Sequence, residues 1–462
     1  MVRKRRAADL GVNALRGTIM KKLLLALAAG VASCSLATGA MAQSNGVFTN
    51  QQGTDGRILV NQSGSSNKAG LSSNEVLYQT GAGNNLIVNQ SGNDNVVGKT
   101  TAGATGGVNP DGQQNGNNNT LRIDQSGNGN AVKYRQLGNN NGNLGAGQSS
   151  GANGIVPPSF QPLDYGAPAG NPTGQWNFVS QAGNGSSVSI DQNSSGNNGI
   201  GNGILIFQGG TDVKEASVTQ STAGASNYAY LDQRADGASI ATVNQTNTGQ
   251  DLQFNLADIR QGGTATTTAT QNGYLLDLFV NQAGGTNVIN STQSASSNSV
   301  MAIFQDGNNE VTARQTNASE ARLFATQTGN SNNLTSDQTG VGSIATVIQT
   351  GDGNIGFNNQ VGLQTASITQ SSNSNTFIND QFGPGLNTFT LLQTGGGSHS
   401  AISNQNGSLL VANVEQYGSN NQYIGTQAGL NNVISVQQAS TLNVANLVQG
   451  GSGNTATIRQ NR

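Results

Sequence analysis

The feature that most constrains this chain is a glutamine that recurs about every 11 residues over most of its length. Each glutamine ends a unit, such as residues 84–90 or 119–125, in which an asparagine, two aliphatic residues and the glutamine occupy alternate positions. Alternate positions of an extended chain lie on one face. Each unit therefore predicts a short β-strand with an amide and aliphatic inner face and a Ser-, Thr- and Asn-rich outer face.

Short Gly- and Asn-rich stretches separate the units, and these residues suit tight turns. After residue 42 there is no helical period, and one such strand buries too little apolar surface to fold alone. When many such strands stack, their aliphatic faces are buried together, and the chain can fold. The sequence thus predicts an all-β, amyloid-like β-solenoid of strand–turn–strand coils, each of about 22 residues and two half-units of about 11. The alternative is a disordered Gly-, Asn- and Gln-rich tract.

Stacked coils would bring the inward amides into ladders, because each carboxamide both donates and accepts hydrogen bonds. We expect these ladders to carry self-assembly. The predicted ladder residues are Gln90, Gln125, Gln136, Gln181, Gln192, Gln282, Gln327, Gln338, Gln349, Gln416, Gln427, Gln438, Gln449, Gln460, Asn84, Asn119, Asn130, Asn432, Asn443 and Asn454.

The composition argues against several functional classes. The chain has 63 Asn and 43 Gln, but only 9% charged residues, one His, one Cys and a net charge of -2. Metal sites need clustered His, Cys or carboxylates, and nucleic-acid binding needs a basic surface. We therefore predict that the chain is not an enzyme, holds no cofactor or metal and does not bind nucleic acid. The lone His399 lies at an inward position where about half of the units have asparagine, which predicts a substitute in the ladder.

The N-terminal residues 1–42 predict a secretory signal peptide that is too short to span a membrane. Residues 1–19 form either an extended basic region or a stretch before the true start at Met20. The sequence before Gln43 fits cleavage after Ala42, whereas a lipid attached to Cys34 is the alternative. Cleavage predicts a secreted protein that passes through the periplasm and has no membrane span.

The glutamine rhythm also divides the chain. Residues 43–57 form a Gln/Asn-rich N-terminal segment, 58–136 a first repeat array and 176–462 the main array. Between the arrays, residues 137–175 predict a Gly/Pro-rich linker or insertion, because proline cannot donate to a strand ladder. Residues 98–118 predict a shorter loop within the first array.

The repeats resemble the curlin repeat, Ser-x5-Gln-x-Gly-x2-Asn-x-Ala-x3-Gln, of bacterial curli fibre subunits. The match is close where Gln427 leads through Gly429 and Asn432 to Gln438, and where Gln449 leads to Gln460. The resemblance implies a secreted subunit that self-assembles into extracellular amyloid fibres (pilus-like surface fibres) for adhesion and biofilm matrix. The implied partners are further copies of the chain, a nucleator or sister subunit, and an outer-membrane export channel that residues 43–57 would address.

A second function remains open from the sequence. The chain could be a monomeric β-solenoid surface adhesin that binds polysaccharide or host matrix. The final repeat ends at Gln460 within the motif, without the atypical unit that caps monomeric solenoids, and this favours a fibre subunit.

Overall fold

The computed structural model describes residues 44–70, 76–98, 112–139, 141, 177–194, 202–222, 226–249 and 253–461. The predicted signal peptide 1–42, Cys34 and most of the predicted linker 137–175 lie outside the described residues. The described residues form 31 β-strands and no helix. In chain order the strands are β1 (Gly46–Val47), β2 (Thr49–Gln52), β3 (Arg57–Gln62), β4 (Lys68–Ala69), β5 (Leu77–Thr80), β6 (Asn85–Ser91), β7 (Val96–Val97), β8 (Gly112–Asn115), β9 (Thr120–Ser126), β10 (Ala131–Gly138), β11 (Asn177–Gln181), β12 (Ser187–Ser194), β13 (Gly203–Gln208), β14 (Lys214–Thr222), β15 (Ser226–Gln233), β16 (Ser239–Asn247), β17 (Phe254–Gln261), β18 (Thr264–Ala283), β19 (Thr286–Ser319), β20 (Arg322–Val341), β21 (Ile344–Thr350), β22 (Ile355–Val361), β23 (Gln364–Gln370), β24 (Thr376–Phe382), β25 (Asn387–Gln393), β26 (Ser400–Ser408), β27 (Val411–Gln416), β28 (Gln422–Leu430), β29 (Val433–Gln438), β30 (Val444–Gln449) and β31 (Thr455–Gln460).

The strands pair in parallel with strands one coil away, and they stack in two columns. Column A contains β3, β6, β9, β11, β13, β15 and β17, then one segment each of β18, β19 and β20, then the odd-numbered strands β21 to β31. Column B contains the strands between them. The prediction of an all-β β-solenoid is confirmed, with about 15 turns spaced roughly 23 residues apart.

The core follows from the period of two in each unit. In β6, for example, Leu86, Val88 and Gln90 are buried, and the residues between them are more exposed. Inward aliphatic residues lie above one another along the stack, as Val347 and Ile368 do in column A. Large inward side chains face small ones. A Cβ placed on Gly356 would lie 2.2 Å from Cε1 of Phe377 in the next coil, so this ring occupies the space that the glycine leaves.

The corners between strands depend on glycine at particular places. Gly429 has a φ of 106°, which is the left-handed region. A Cβ at Gly429 would lie 1.9 Å from the carbonyl oxygen of Gly451 in the following coil. Glycine here therefore permits both the turn and the close approach of successive coils.

The two repeat arrays form one continuous stack. Strand β9 pairs with β11 and β10 pairs with β12, across the predicted linker. Strand β10 extends to Gly138, past the predicted linker start at residue 137. The predicted loop 98–118 is partly wrong, because β8 lies within it and pairs with β5 and β10. Within the predicted N-terminal segment 43–57, β2 also joins the stack by pairing with β5.

Candidate assembly surfaces

A glutamine ladder runs the length of column A. Nε2 of each glutamine donates to Oε1 of the glutamine one coil further along the chain, at N–O distances of 2.7–3.1 Å. Its members in order are Gln62, Gln90, Gln125, Gln181, Gln208, Gln233, Gln261, Gln282, Gln305, Gln327, Gln349, Gln370, Gln393, Gln416, Gln438 and Gln460.

A second ladder with the same donor direction runs along column B, with N–O distances of 2.5–3.1 Å. Its members in order are Gln79, Gln114, Gln136, Gln192, Gln220, Gln245, Gln271, Gln293, Gln315, Gln338, Gln360, Gln381, Gln405, Gln427 and Gln449. The structure thus places the glutamines predicted from the sequence in two separate ladders, one for each half-unit of the coil.

Most ladder amides also connect the two columns. Nε2 of Gln338 donates to Oε1 of Gln360 at 3.0 Å and to the backbone oxygen of Arg322, in column A, at 2.9 Å. Both amide hydrogens are therefore used, while Oε1 accepts from Gln315 at 2.9 Å. A buried amide with all of these bonds satisfied stabilises the stack without placing a charge in its interior.

The predicted asparagines lie at the corners, one position before each strand begins. Nδ2 of Asn432 donates to backbone oxygens of Ala428 and Gly451, and its Oδ1 accepts from the backbone N–H of Asn454 at 2.9 Å. Asn84 and Asn119 form the same kind of pair in column A. In column B, Asn130 donates to Ser126 and Gly183, and Asn443 donates to Oδ1 of Asn421. These residues fix the turns between coils.

Two titratable residues replace asparagine at these corners. The backbone N–H of His399 donates to Oδ1 of Asn375 at 3.0 Å, and Nδ1 of His399 faces the backbone N–H of Asn421 at 3.4 Å. Its Nε2 lies 3.0 Å from the Thr394 oxygen, so the neutral ring with Nε2–H satisfies every contact. Burial lowers the pKa of His399, although backbone bonds oppose this.

Lys214 is the second replacement, and its side chain is buried. Its Nζ donates to the backbone oxygens of Ala235, at 2.8 Å, and of Gly237. Burial lowers the pKa of Lys214, whereas nearby Asp212 and Asp236 raise it. The ammonium group thus binds the turn of the next coil in place of an asparagine amide.

Sequence reasoning missed some ladder positions. Gln114 was not identified because its unit, residues 112–115, has no aliphatic residue. Asn358 and Asn379 occupy inward positions where aliphatic residues were expected, and Nδ2 of Asn379 donates to Oδ1 of Asn358 at 2.8 Å. The sequence does mark Asn358 and Asn379 as inward residues, since each lies two residues before a ladder glutamine.

The described stack has an open strand edge at each end. At the C-terminal end, β31 pairs only with β29 and β30 only with β28. At the N-terminal end, β3 pairs only with β6 and β2 only with β5. Inward residues become more accessible there: Leu447 and Ile458 are half-buried, whereas Val347 and Ile368 in the middle of the stack are fully buried. These edges present unpaired backbone groups and apolar side chains to a further strand.

Several oppositely charged side chains on the outer faces form ion pairs. Arg122 binds Asp124 at 2.9 Å, and Arg260 binds Asp258 at 2.8 Å. Across the residues that the structure describes, no group of three or more His, Cys, Asp or Glu could hold a metal ion. Within the same residues no helix is both long and apolar enough to cross a membrane.

Comparison with known proteins adds no identification. No protein-family model matches the chain, and no curated protein matches it. The likeness to curlin repeats therefore rests on the residues of the repeat itself.

Proposed function

We propose that the chain is a secreted structural subunit that assembles end to end into extracellular, curli-like amyloid fibres. The observation that carries this proposal is the common direction of the two ladders. Every described ladder bond runs from Nε2 of one glutamine to Oε1 of the glutamine one coil nearer the C-terminal end. The C-terminal edge thus presents the donor side of both ladders, and the N-terminal edge presents the acceptor side of the column A ladder. The column B ladder begins one coil further in, at Gln79, whose Oε1 accepts no hydrogen bond although Gln51 lies opposite it.

These two edges complement each other in register. When β31 of one copy stacks on β3 of the next, Gln460 meets Gln62 and the first ladder continues. At the same junction β30 meets β2, and Gln449 lies against Gln51, which is the register partner of Gln79. The junction joins two different surfaces, so it does not close on itself and generates an open filament. The backbone edges pair at the same time, which removes the exposed strands.

The biological role follows from the resemblance to curli subunits. We propose that the fibres lie on the bacterial cell surface and serve adhesion and biofilm matrix, a structural role rather than a catalytic one. The proposed partners are further copies of the same chain, a nucleator or sister subunit, and an outer-membrane export channel. The secretory signal expected in residues 1–42 supports export through the periplasm.

The test is the behaviour of the purified chain in solution. We expect thioflavin-positive fibres with a reflection at about 4.7–4.8 Å along the fibre axis, the spacing of stacked strands. A chain that stays a folded monomer for days would contradict the proposal and would favour the monomeric surface adhesin instead.

A further inference from the structure

An exposed apolar patch covers four consecutive coils toward the C-terminal end of the stack, on the outer face of column B and on the corner that follows it. Its strand column consists of Phe357, Ile378, Ile402 and Ile424, and its corner column of Leu363, Leu386 and Leu409; Leu430 lies beside this column, at the register position of Ser408. All of residues 344–461 are described, so the surroundings of this patch are complete in the structure.

The register aligns the strand column along the stack. Phe357 pairs with Ile378, Ile378 with Ile402 and Ile402 with Ile424. Phe357 is 46% exposed, and the three isoleucines are half-buried by their neighbours in the column.

The corner column is equally accessible. Leu386 is 52% exposed and Leu409 is 47% exposed. Leu363, Leu386 and Leu409 each directly precede a buried residue at the corner, namely Gln364, Asn387 and Leu410. The backbone N–H of Asn387 donates to Oε1 of Gln364, and that of Leu410 donates to Oδ1 of Asn387. These buried residues are therefore stacked, and the leucines that precede them lie above one another.

The fold does not require apolar residues at these positions. Thr312 and Thr335 occupy the strand column in the two preceding coils, and Thr335 pairs directly with Phe357. These threonine coils stack with the same parallel register as the isoleucine coils. The apolar side chains are therefore available for a contact outside the subunit.

The patch has little charge. Among residues 355–363, 376–386, 400–409 and 422–430, the one charged residue is Asp380. Its carboxylate accepts a hydrogen bond from Nδ2 of Asn359 at 3.3 Å. A surface of this kind does not select a strongly charged partner, and it favours another uncharged apolar surface.

The size of the patch indicates which partner it fits. Four coils at about 4.8 Å, and about six residues from one column to the other, give roughly 300–400 Å². A stable pair of separate proteins needs about 800 Å² on each partner. Two free subunits would therefore dissociate. A stack of subunits, in contrast, presents the patch repeatedly along its length, so many weak contacts act together.

We infer that this patch is a lateral docking surface for a second fibre of the same chain. The inference rests on the proposed end-to-end fibre, since only stacked subunits repeat the patch. Fibres come together through apolar contacts between their strand and corner columns, while the amide ladders hold each fibre along its axis. Bundling then follows polymerisation and does not precede it.

The test compares the purified chain with the triple variant Ile378→Thr, Ile402→Thr and Ile424→Thr, which copies the side chain found at Thr312 and Thr335. Threonine retains β-branching, so we expect fibres to grow at the native rate when followed by thioflavin fluorescence. Electron microscopy should show native fibres in bundles and variant fibres as single filaments. Native bundles should also loosen on cooling, because apolar association weakens at low temperature.

The matched control carries Ile344→Thr, Val411→Thr and Val433→Thr on the outer face of column A, where Thr365, Thr388 and Thr455 occupy the same register. This variant should bundle like the native chain. Loss of bundles in the control, or normal bundles in the patch variant, would overturn the inference. Single native filaments without bundles would overturn the docking surface alone, whereas the absence of any native fibre would contradict the proposed function as well.

A third arm tests other partners of the patch. Native fibres are mixed with phosphatidylcholine vesicles and, separately, with insoluble cellulose, and then sedimented. We expect equal cosedimentation of the native chain and the patch variant with both probes. If the patch variant alone loses binding to either probe while native fibres remain unbundled, the patch serves that probe and the inference is wrong.

Discussion

The last glutamines of the two ladders, Gln449 and Gln460, have a ladder partner on one side only. Gln327 and Gln338 have partners on both sides. We predict opposite effects of two double variants. Gln449→Ala with Gln460→Ala should slow fibre growth more, whereas Gln327→Ala with Gln338→Ala should reduce the folding stability of the subunit more.

The hydrogen bonds give the expected magnitudes. Gln327 accepts from Gln305 at 2.8 Å and donates to Gln349 at 2.7 Å and to the Glu310 oxygen at 3.1 Å. Removing a buried amide leaves partners unsatisfied at about 1–3 kcal/mol per site, so the internal pair should lower the free energy of unfolding by about 2–6 kcal/mol. The terminal pair removes two junction bonds at about 0.5–1.5 kcal/mol each, a roughly 5- to 150-fold rise in critical concentration.

Seeded growth at equal monomer concentration, the critical concentration of the fibres and the denaturant midpoint of the soluble chain measure these effects. Native seeds isolate elongation from nucleation. If the internal pair slows growth as much as the terminal pair, or more, then growth does not proceed through the edge formed by β30 and β31, and the reasoning from ladder direction is refuted.

Two further predictions concern residues inside the stack. Because burial lowers the pKa of His399, the unfolded chain takes up a proton near pH 6.5 before the folded chain does. The contribution of His399 to the free energy of unfolding should therefore be constant above about pH 7 and fall as the pH decreases below 6.5. Burial also raises the pKa of Asp277 to about 7, which gives an opposite slope at acidic pH in both chains, so the measurement is the difference between the native chain and His399→Asn in denaturant titrations. A difference that does not change with pH would rule out a contribution of His399. Gly356→Ala should lower stability by about 1–3 kcal/mol, because its Cβ would lie 2.2 Å from the ring of Phe377, whereas Gly450→Ala, with no atom within 4 Å of the added Cβ, should leave the denaturant midpoint nearly unchanged. Equal effects of the two glycine variants would show that ring packing is not the reason.

The sequence was sufficient to predict a β-solenoid because the period of two and the recurring glutamine both report the inner face of each strand. Glutamine and asparagine side chains keep their identity from coil to coil, since a ladder needs the same group at the same place. Aliphatic positions are less informative. Packing can exchange a large and a small residue between neighbouring coils, as at Gly356 and Phe377, and only the structure shows which coils are neighbours.

Insertions in the chain prevented prediction of which strands pair across them. Strands β7 and β8 form one rung of column B although residues 98–111 separate them in the chain, so Gln114 lacks the flanking pattern that marks other units. For the same reason the sequence divides the chain at the linker, whereas the strand pairing continues from β9 to β11. The apolar patch also could not be predicted, because its corner leucines align only when coils of unequal length are stacked.

The most direct test of the end-to-end account is a cryo-electron microscopy map of the fibres at a resolution that separates strands. The account predicts an uninterrupted stack of strands at about 4.8 Å, in which β31 of one subunit lies on β3 of the next and Gln460 continues the ladder to Gln62. A gap in the strand stack at the subunit boundary, or subunits joined only through their outer faces, would contradict it.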